Sequence, residues 1–228
     1  MSMYGGVGLQ DTISYEGSGV ELFHDFALCV MVFILCVVVG MFYSITVGGG
    51  SVVSGYSGSN YVEFIWTTLP VVVLLGLSFP SLALMYLSEG PPGGSPDLTF
   101  KAVGHQWYWS YEGGDFLDFG VDSYMAPLGD LSEGSFRLLE VDNSLVLPFG
   151  AKVRLVTSST DVIHCWALPS LAMKVDCVPG RLNTLSVSSV SPGSFYGQCS
   201  EICGINHSFM PIHVEFVDWG TFLAYVAQ

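Results

Sequence analysis

The chain has 228 residues, is half hydrophobic and only 11% charged, and carries a formal net charge of −14. With a mean hydropathy of +0.54, it is too apolar for an ordinary soluble domain and reads as a membrane protein. The scarcity of Lys and Arg argues against nucleic-acid binding, which those residues drive. An acidic surface suits a basic partner instead.

All six basic residues lie at or after Lys101. A secretory signal needs a basic n-region and a mitochondrial presequence is Arg-rich; the sequence reads as having neither. A mitochondrial protein of this kind is expected to be made inside the organelle. A bacterial one is expected either to insert without a conventional signal or to have it missing from this chain.

Residues 1–25 are Gly-rich and mildly acidic, and are expected to form a tail near the membrane surface. Residues 26–88 are expected to form a transmembrane helical hairpin. Its first helix is the apolar run 26–47, about 22 residues and enough to cross a hydrocarbon core of about 30 Å. An uncharged Gly/Ser turn follows at 48–60. The second helix spans 62–87, with Trp66 and Tyr86 near its ends, as interfacial aromatics prefer. Pro70 and Pro80 inside it are expected to kink it. Cys29 and Cys36 read as packing residues of the first helix. Two spans put both flanking segments on one side, but a hairpin loop without Lys or Arg cannot say which.

EGPPGGSPD at 89–97 is a linker, punctuated by Gly and Pro. Residues 98–228 then change character. Short runs rich in Val, Leu, Phe and Thr alternate with Gly, Pro, Asn and Asp: LTFKAVG, SFRLLEVD, SLVLPFG, AKVRLVTS, RLNTLSVSSV and HVEFV. This spacing predicts an all-β sandwich or barrel. DWGTFLAYVAQ predicts a short terminal helix.

The richest stretch is GQCSEICGINHSFMP, 197–211, with Cys199, Glu201, Cys203, His207 and Met210; His164 stands upstream in DVIHCW. Thiolates, imidazoles and a thioether together favour copper over calcium or magnesium. Zinc accepts two Cys and two His and is the first rival. Two thiolates four residues apart suit two coppers bridged by both sulfurs better than a mononuclear site. Each copper would take one histidine, with Met210 and the Glu201 carbonyl as weak ligands. The plainer alternative is a Cys199–Cys203 disulfide with His207 and Met210 as ordinary residues. Gly204, Pro192 and Pro211 favour a loop over a helix here. Asn206-His207-Ser208 matches a glycosylation sequon, but a sugar beside a metal ligand is implausible.

The copper loop, with GHQWYWSYE (104–112), RLLEVDN (137–143), VIHCWALPSL (162–171), PGRLN (179–183) and IWTTLP (65–70), resembles the cytochrome c oxidase subunit II family over nearly the whole chain. The resemblance implies a cupredoxin-like Greek-key β-sandwich after the two-helix hairpin. It implies a dinuclear copper A centre on His164, Cys199, Cys203, His207, Met210 and the Glu201 carbonyl. The Glu201 carboxylate would share a magnesium ion with subunit I, and no haem is expected in this chain. Trp107 matches the point where electrons arrive from cytochrome c, although an aromatic cluster closing the sandwich explains Trp107, Tyr108 and Trp109 equally well. Tyr108, Glu112, Asp115, Asp118, Asp122, Glu140, Asp142 and Asp161 are the candidate cytochrome c face. The family often has one more acid where this chain has Gly113, Gly114 and Leu117. Glu63 matches the mouth of a proton path into subunit I, but an acid opening a helix is favoured anyway. Asp176 and Arg181 are expected at the contact with subunit I.

The implied function is electron transfer from cytochrome c to the haem of subunit I, where oxygen is reduced and protons are pumped. The partners are subunit I, other oxidase subunits and the lipid bilayer. The implied location is the mitochondrial inner membrane with the copper domain in the intermembrane space, or a bacterial plasma membrane with that domain outside the cytoplasm. Rivals are a quinol oxidase subunit, which lacks the copper ligands, a copper chaperone, which needs no hairpin, and a metal-free structural subunit. Cys165 and Cys177 depart from the family's small residues. They read as buried thiols, with a disulfide between them the alternative.

Overall fold

The computed structural model describes residues 7–47, 58–89, 95–115 and 119–227. The start of the expected tail, most of the 48–60 turn, residues 90–94 of the linker, and Leu117 and Asp118 lie outside the described residues. The chain divides into two units, one of residues 19–89 and one of residues 1–18 with 90–228.

The first unit holds two helices, α1 (Tyr15–Val47) and α2 (Asn60–Glu89). Among the described residues these are the two long and apolar enough to cross a membrane. The expected span 26–47 is the C-terminal part of α1, and α2 continues through Pro70 and Pro80. A Cβ built on Gly19 would lie 2.7 Å from Leu84 Cδ1. The start of α1 thus meets the end of α2, as an antiparallel hairpin requires.

Ser14 caps α1, its hydroxyl accepting from Gly17 N at 2.9 Å and donating to the Leu171 carbonyl at 3.0 Å. Ile13 is buried, donates its N–H to Ser170 and accepts from Val190, both at 2.9 Å. This segment packs on the β-domain, where it gains an apolar burial site and backbone partners. The cap also explains why the helix begins at residue 15, well before the apolar run.

The second unit is a β-sandwich. One sheet has the order β3 (Gly120–Ser123), β2 (Tyr108–Gly113), β1 (Leu98–His105), β5 (Val153–Ser159), β8 (Asn183–Val187). The other has the order β4 (Leu145–Pro148), β10 (Pro211–Val217), β9 (Gly193–Gln198), and β6 (His164–Leu168) pairs with β7 (Met173–Cys177). β1–β5 and β4–β10 are parallel pairs, so the chain crosses between layers as well as forming antiparallel pairs of consecutive strands. Phe100, Trp109, Tyr111, Leu155, Trp166, Leu168, Ile212, Val214, Phe216 and Phe222 form the core. The terminal helix α3 (Trp219–Val226) is capped by Asp218, which accepts from Gly220 N and Thr221 N, and it inserts Phe222 into that core.

Five of the six apolar runs become strands. SFRLLEVD does not: it turns, with Leu138 at φ +66°, and only Val141 bridges, to Met125. The Glu140 carboxylate closes the turn by accepting from Phe136 N at 3.1 Å. Alternating hydrophobicity cannot reveal such a side-chain-to-backbone bond, which offers the chain an alternative to a strand. GHQWYWSYE, read as an aromatic cluster, builds the β1–β2 hairpin.

Candidate metal centre

β9 ends at Gln198 and β10 begins at Pro211, and these two residues face each other in the ladder. The intervening loop is closed at its base by Cys199 N donating to the Met210 carbonyl at 3.4 Å. Ser200 N donates to the Cys165 carbonyl at 3.0 Å, tying the loop to β6. His164, the first residue of β6, is thereby brought against it. A 3-10 turn, His207–Phe209, carries the second histidine.

The donor atoms converge. Cys199 Sγ and Cys203 Sγ are 3.9 Å apart, far beyond the roughly 2.05 Å of a disulfide. His164 Nδ1 lies 3.9 Å from Cys199 Sγ, and His207 Nδ1 lies 3.5 Å from Cys203 Sγ. Met210 Sδ is 3.5 Å from Cys203 Sγ, and the Glu201 carbonyl is 3.3 Å from Cys199 Sγ. His164, Cys199, Cys203 and Met210 are buried, with His207 and Glu201 half-buried. Two thiolates, each with its own imidazole, and one weak donor at each end fit a pair of soft ions sharing both sulfurs. The set is richer than a single tetrahedral zinc requires.

The electrostatics favour loading. Burial opposes ionisation of Cys199, but hydrogen bonds with the His164 ring and the backbone of Cys165 and Glu201 prevail, pulling it down to about 7. Cys203 is pushed up to about 12 by burial and then by the neighbouring Cys199 charge. One thiolate is therefore available near neutrality, and the second forms as metal displaces its proton.

The surroundings orient the ligands. His164 Nε2 donates to Asp161 Oδ1 at 2.8 Å, turning Nδ1 toward the thiols. Asp161 also accepts from Gln106 N at 2.7 Å and Val162 N at 2.6 Å. Gln106 Nε2 and Trp107 Nε1 both donate to the Cys203 carbonyl, at 2.8 and 3.2 Å, and Trp109 Nε1 donates to that of Met210 at 3.4 Å. Gly204, at φ +124°, has room for no Cβ, which would sit 3.0 Å from Trp107 Cζ2.

Asp161, a candidate docking acid in the sequence, also holds the His164 ring through its Nε2. The Asp-x-x-His spacing was its only visible signal. Gly204 was read only as a loop signal, and Gly104 and Gln106 only as part of the GHQWYWSYE motif; their contacts with His164, Trp107 and Cys203 were not visible in the sequence.

The candidate docking residues divide. Trp107, Tyr108, Tyr124, Asn206 and Phe209 line a surface hollow of about 530 Å³ beside the loop. Tyr108 is stacked between His105 and Tyr124, both at 4.4 Å. Asp122 opposes Ser110 on β3, and Asp142 accepts from Tyr124 N at 2.7 Å, both near this face. Glu112 and Asp115 are not there. Glu112 is four residues along β2 from Tyr108, roughly 13 Å at strand spacing, and is paired with Lys101 at 2.9 Å. Asp115 accepts from Thr99 N near the same far end. Glu140 is engaged by Tyr196 OH at 3.2 Å. Glu63 lies in the first turn of α2, exposed.

Cys165 and Cys177 are free and buried. Cys165 faces Asp176 and Cys177 faces His164 across β6–β7. They therefore point to opposite faces of the pair, which rules out the alternative disulfide. Burial first, and Asp176 beside it, push Cys165 up to about 12, and burial pushes Cys177 up to about 11. Both are inert thiols.

Residues 98–217 match the family described as cytochrome c oxidase subunit II, periplasmic domain, and residues 2–84 match its transmembrane domain. Cytochrome c oxidase subunit 2 of Branchiostoma floridae is 47% identical over 213 residues, covering 92% of this chain and 90% of that protein. That of Drosophila bifasciata is 44% identical over 228 residues, 100% of this chain and 98% of the other. The crystal structure of the periplasmic domain of subunit II of cytochrome oxidase of Bradyrhizobium japonicum is 45% identical, with a TM-score of 0.55, covering 59% of this chain and 94% of that one. The chain belongs to the cytochrome c oxidase subunit II family, as a membrane-anchored, copper-binding subunit that carries electrons within an oxidoreductase.

Proposed function

We propose that this chain takes electrons from cytochrome c at a dinuclear copper A centre and delivers them to the haem of subunit I, where oxygen reduction drives proton pumping. The observation that carries the proposal is the convergence of two thiol sulfurs 3.9 Å apart with an imidazole beside each. His164, Cys199, Cys203, His207, Met210 and the Glu201 carbonyl hold the ions. Two copper ions there supply a one-electron couple. The protein's part is to keep the ligands rigid, buried and dry, so that little rearranges when charge changes.

Trp107 is the reading for where electrons arrive. Its ring borders the surface hollow and its Nε1 reaches the carbonyl of a copper ligand. Tyr108, Asp122 and Asp142 surround that face and suit a basic partner. Glu112, Asp115 and Glu140, paired elsewhere, contribute to the general acidic field instead. The Glu201 carboxylate is proposed to share a magnesium ion with subunit I, as a hard cation suits it. Glu63 is proposed to stand at a proton path in that subunit. Residues 26–88 anchor the chain and 98–228 form the copper domain. The location proposed is the mitochondrial inner membrane, with the copper domain in the intermembrane space.

The test is metal stoichiometry and electron paramagnetic resonance on the full chain in detergent after copper loading. Two coppers per chain sharing one unpaired electron is the expected result. A folded chain that binds zinc alone, or no metal, would overturn the ligand assignments.

A further inference from the structure

A second titratable cluster sits on the strands that lead into and out of the copper loop. His213 of β10 stands across from Tyr196 of β9. Their rings stack at 4.4 Å with planes 11° apart. The imidazole is 8% exposed, and its Nε2 has no hydrogen-bond partner among the described residues. Buried polar atoms are almost always paired, so an orphaned ring nitrogen calls for an explanation.

What faces it is acidic. Glu215, two residues along and on the same face of the strand, places Oε1 4.0 Å from Nε2. Ser144 Oγ donates to that oxygen at 2.6 Å. Beyond the stacked ring, Tyr196 OH donates to both oxygens of Glu140, at 3.2 and 3.3 Å.

We propose that His213 and Glu215, with Glu140 as the reserve carboxylate, form a second metal site for a divalent transition cation of the zinc class. An imidazole with carboxylates is a zinc-type donor set. Calcium and magnesium favour all-oxygen shells, and soft copper favours the thiolate loop. Zinc ligands at about 2.0–2.2 Å in tetrahedral array stand roughly 3.4 Å apart. The 4.0 Å separation therefore has to close by about half an ångström. Glu215, whose side chain is 38% exposed against 10% for His213, is the group able to move and marks the side from which an ion arrives. The stacked Tyr196 keeps the imidazole plane fixed. Met210 lies three residues before His213 on β10, and Cys199 three after Tyr196 on β9, so the site sits on the strands that carry the copper loop.

The test uses the full chain in detergent, loaded with copper first, and zinc alone as the probe. Zinc binding is followed by calorimetry and equilibrium dialysis, while the copper absorption spectrum reports that the loop stays filled. The expected result is one zinc per chain, lost in His213→Val and weakened about tenfold or more in Glu215→Gln. Retained copper content shows that the variants fold. Where His213→Val does not fold, the partly exposed Glu215→Gln decides. No saturable zinc binding by the parent chain overturns the site, leaving His213 to be satisfied by a proton or a water. Equal binding by the variants overturns it too, placing the zinc elsewhere. The copper measurement is independent, so failure of the copper reading and failure of this one are distinguishable.

Discussion

Gly104 lies in β1 against the buried ring of His164, and adding one methyl group there tests how tightly the ligand is held. A Cβ would sit 2.8 Å from Cδ2 of His164 and 2.9 Å from its Cβ and Cγ. Ordinary contact begins near 3.4 Å, so the ring or the strand must withdraw by about 0.6 Å at contact distance. The ring has nowhere to go. It is 0% exposed, with Nε2 held by Asp161 at 2.8 Å and Nδ1 facing Cys199. Overpacking of this kind costs about 1–3 kcal/mol, which lowers Tm by about 3 °C or more for a domain of this size. Gly104 is not in the left-handed region, so Gly104→Ala isolates packing from backbone strain. Thermal unfolding of the copper-free chain in detergent gives the stability, and paramagnetic resonance of the loaded chain gives the ligand geometry. A lowered Tm with an altered copper spectrum is predicted. A Tm within about 1 °C of the parent, with an unchanged spectrum, would refute the claim that Gly104 sets the position of His164.

Three further predictions follow from the surroundings of the loop. Asp161→Ala strips the acceptor from His164 Nε2, Gln106 N and Val162 N; it should cost about 2–4 kcal/mol and shift the copper spectrum, and an unchanged spectrum would remove Asp161 as a positioning group. Copper affinity should rise with pH, because the ligands bind as thiolates. With Cys199 near 7 and Cys203 near 12, loading releases about two thiol protons below pH 7 and about one between pH 7 and 9. The gain is then at least about tenfold per pH unit and steeper at the acid end, where the raised His164 adds its own proton, and a competitive copper titration that stays flat across this range would contradict it. Cys165 and Cys177 should both alkylate after denaturation without reductant, since they face opposite sides of β6–β7; a mass showing both blocked would mean a different strand register.

The sequence by itself determined the broad plan. Two long apolar runs without a basic residue can only be stable as helices in a bilayer or a large core, so the hairpin follows from composition. The copper set was legible because soft ligands of three kinds fall within twelve residues of loop, and chemistry of that density has few uses. His164 was legible as a second imidazole for the set, but its distance along the chain gave no local reason for it to join the loop. It lies 35 residues before Cys199, and no local rule brings it there; the bond from Ser200 to Cys165 and the β6 strand do.

Only the tertiary structure shows what each acid touches. Along the chain Glu112, Asp115, Asp142 and Asp161 look alike. In the fold, pairing with Lys101 and position on β2 remove Glu112 from the Trp107 face, and a buried imidazole claims Asp161. Strand boundaries behaved similarly. SFRLLEVD has the composition of a strand, but Glu140 turns it by binding Phe136 N and reaching Tyr196. The N-terminal tail, polar enough to suggest a surface segment, is held on the β-domain by Ile13 and Ser14. Local pattern fixes which residues prefer to be buried. Which partner buries them depends on contacts far apart in the chain, and only the folded arrangement supplies those.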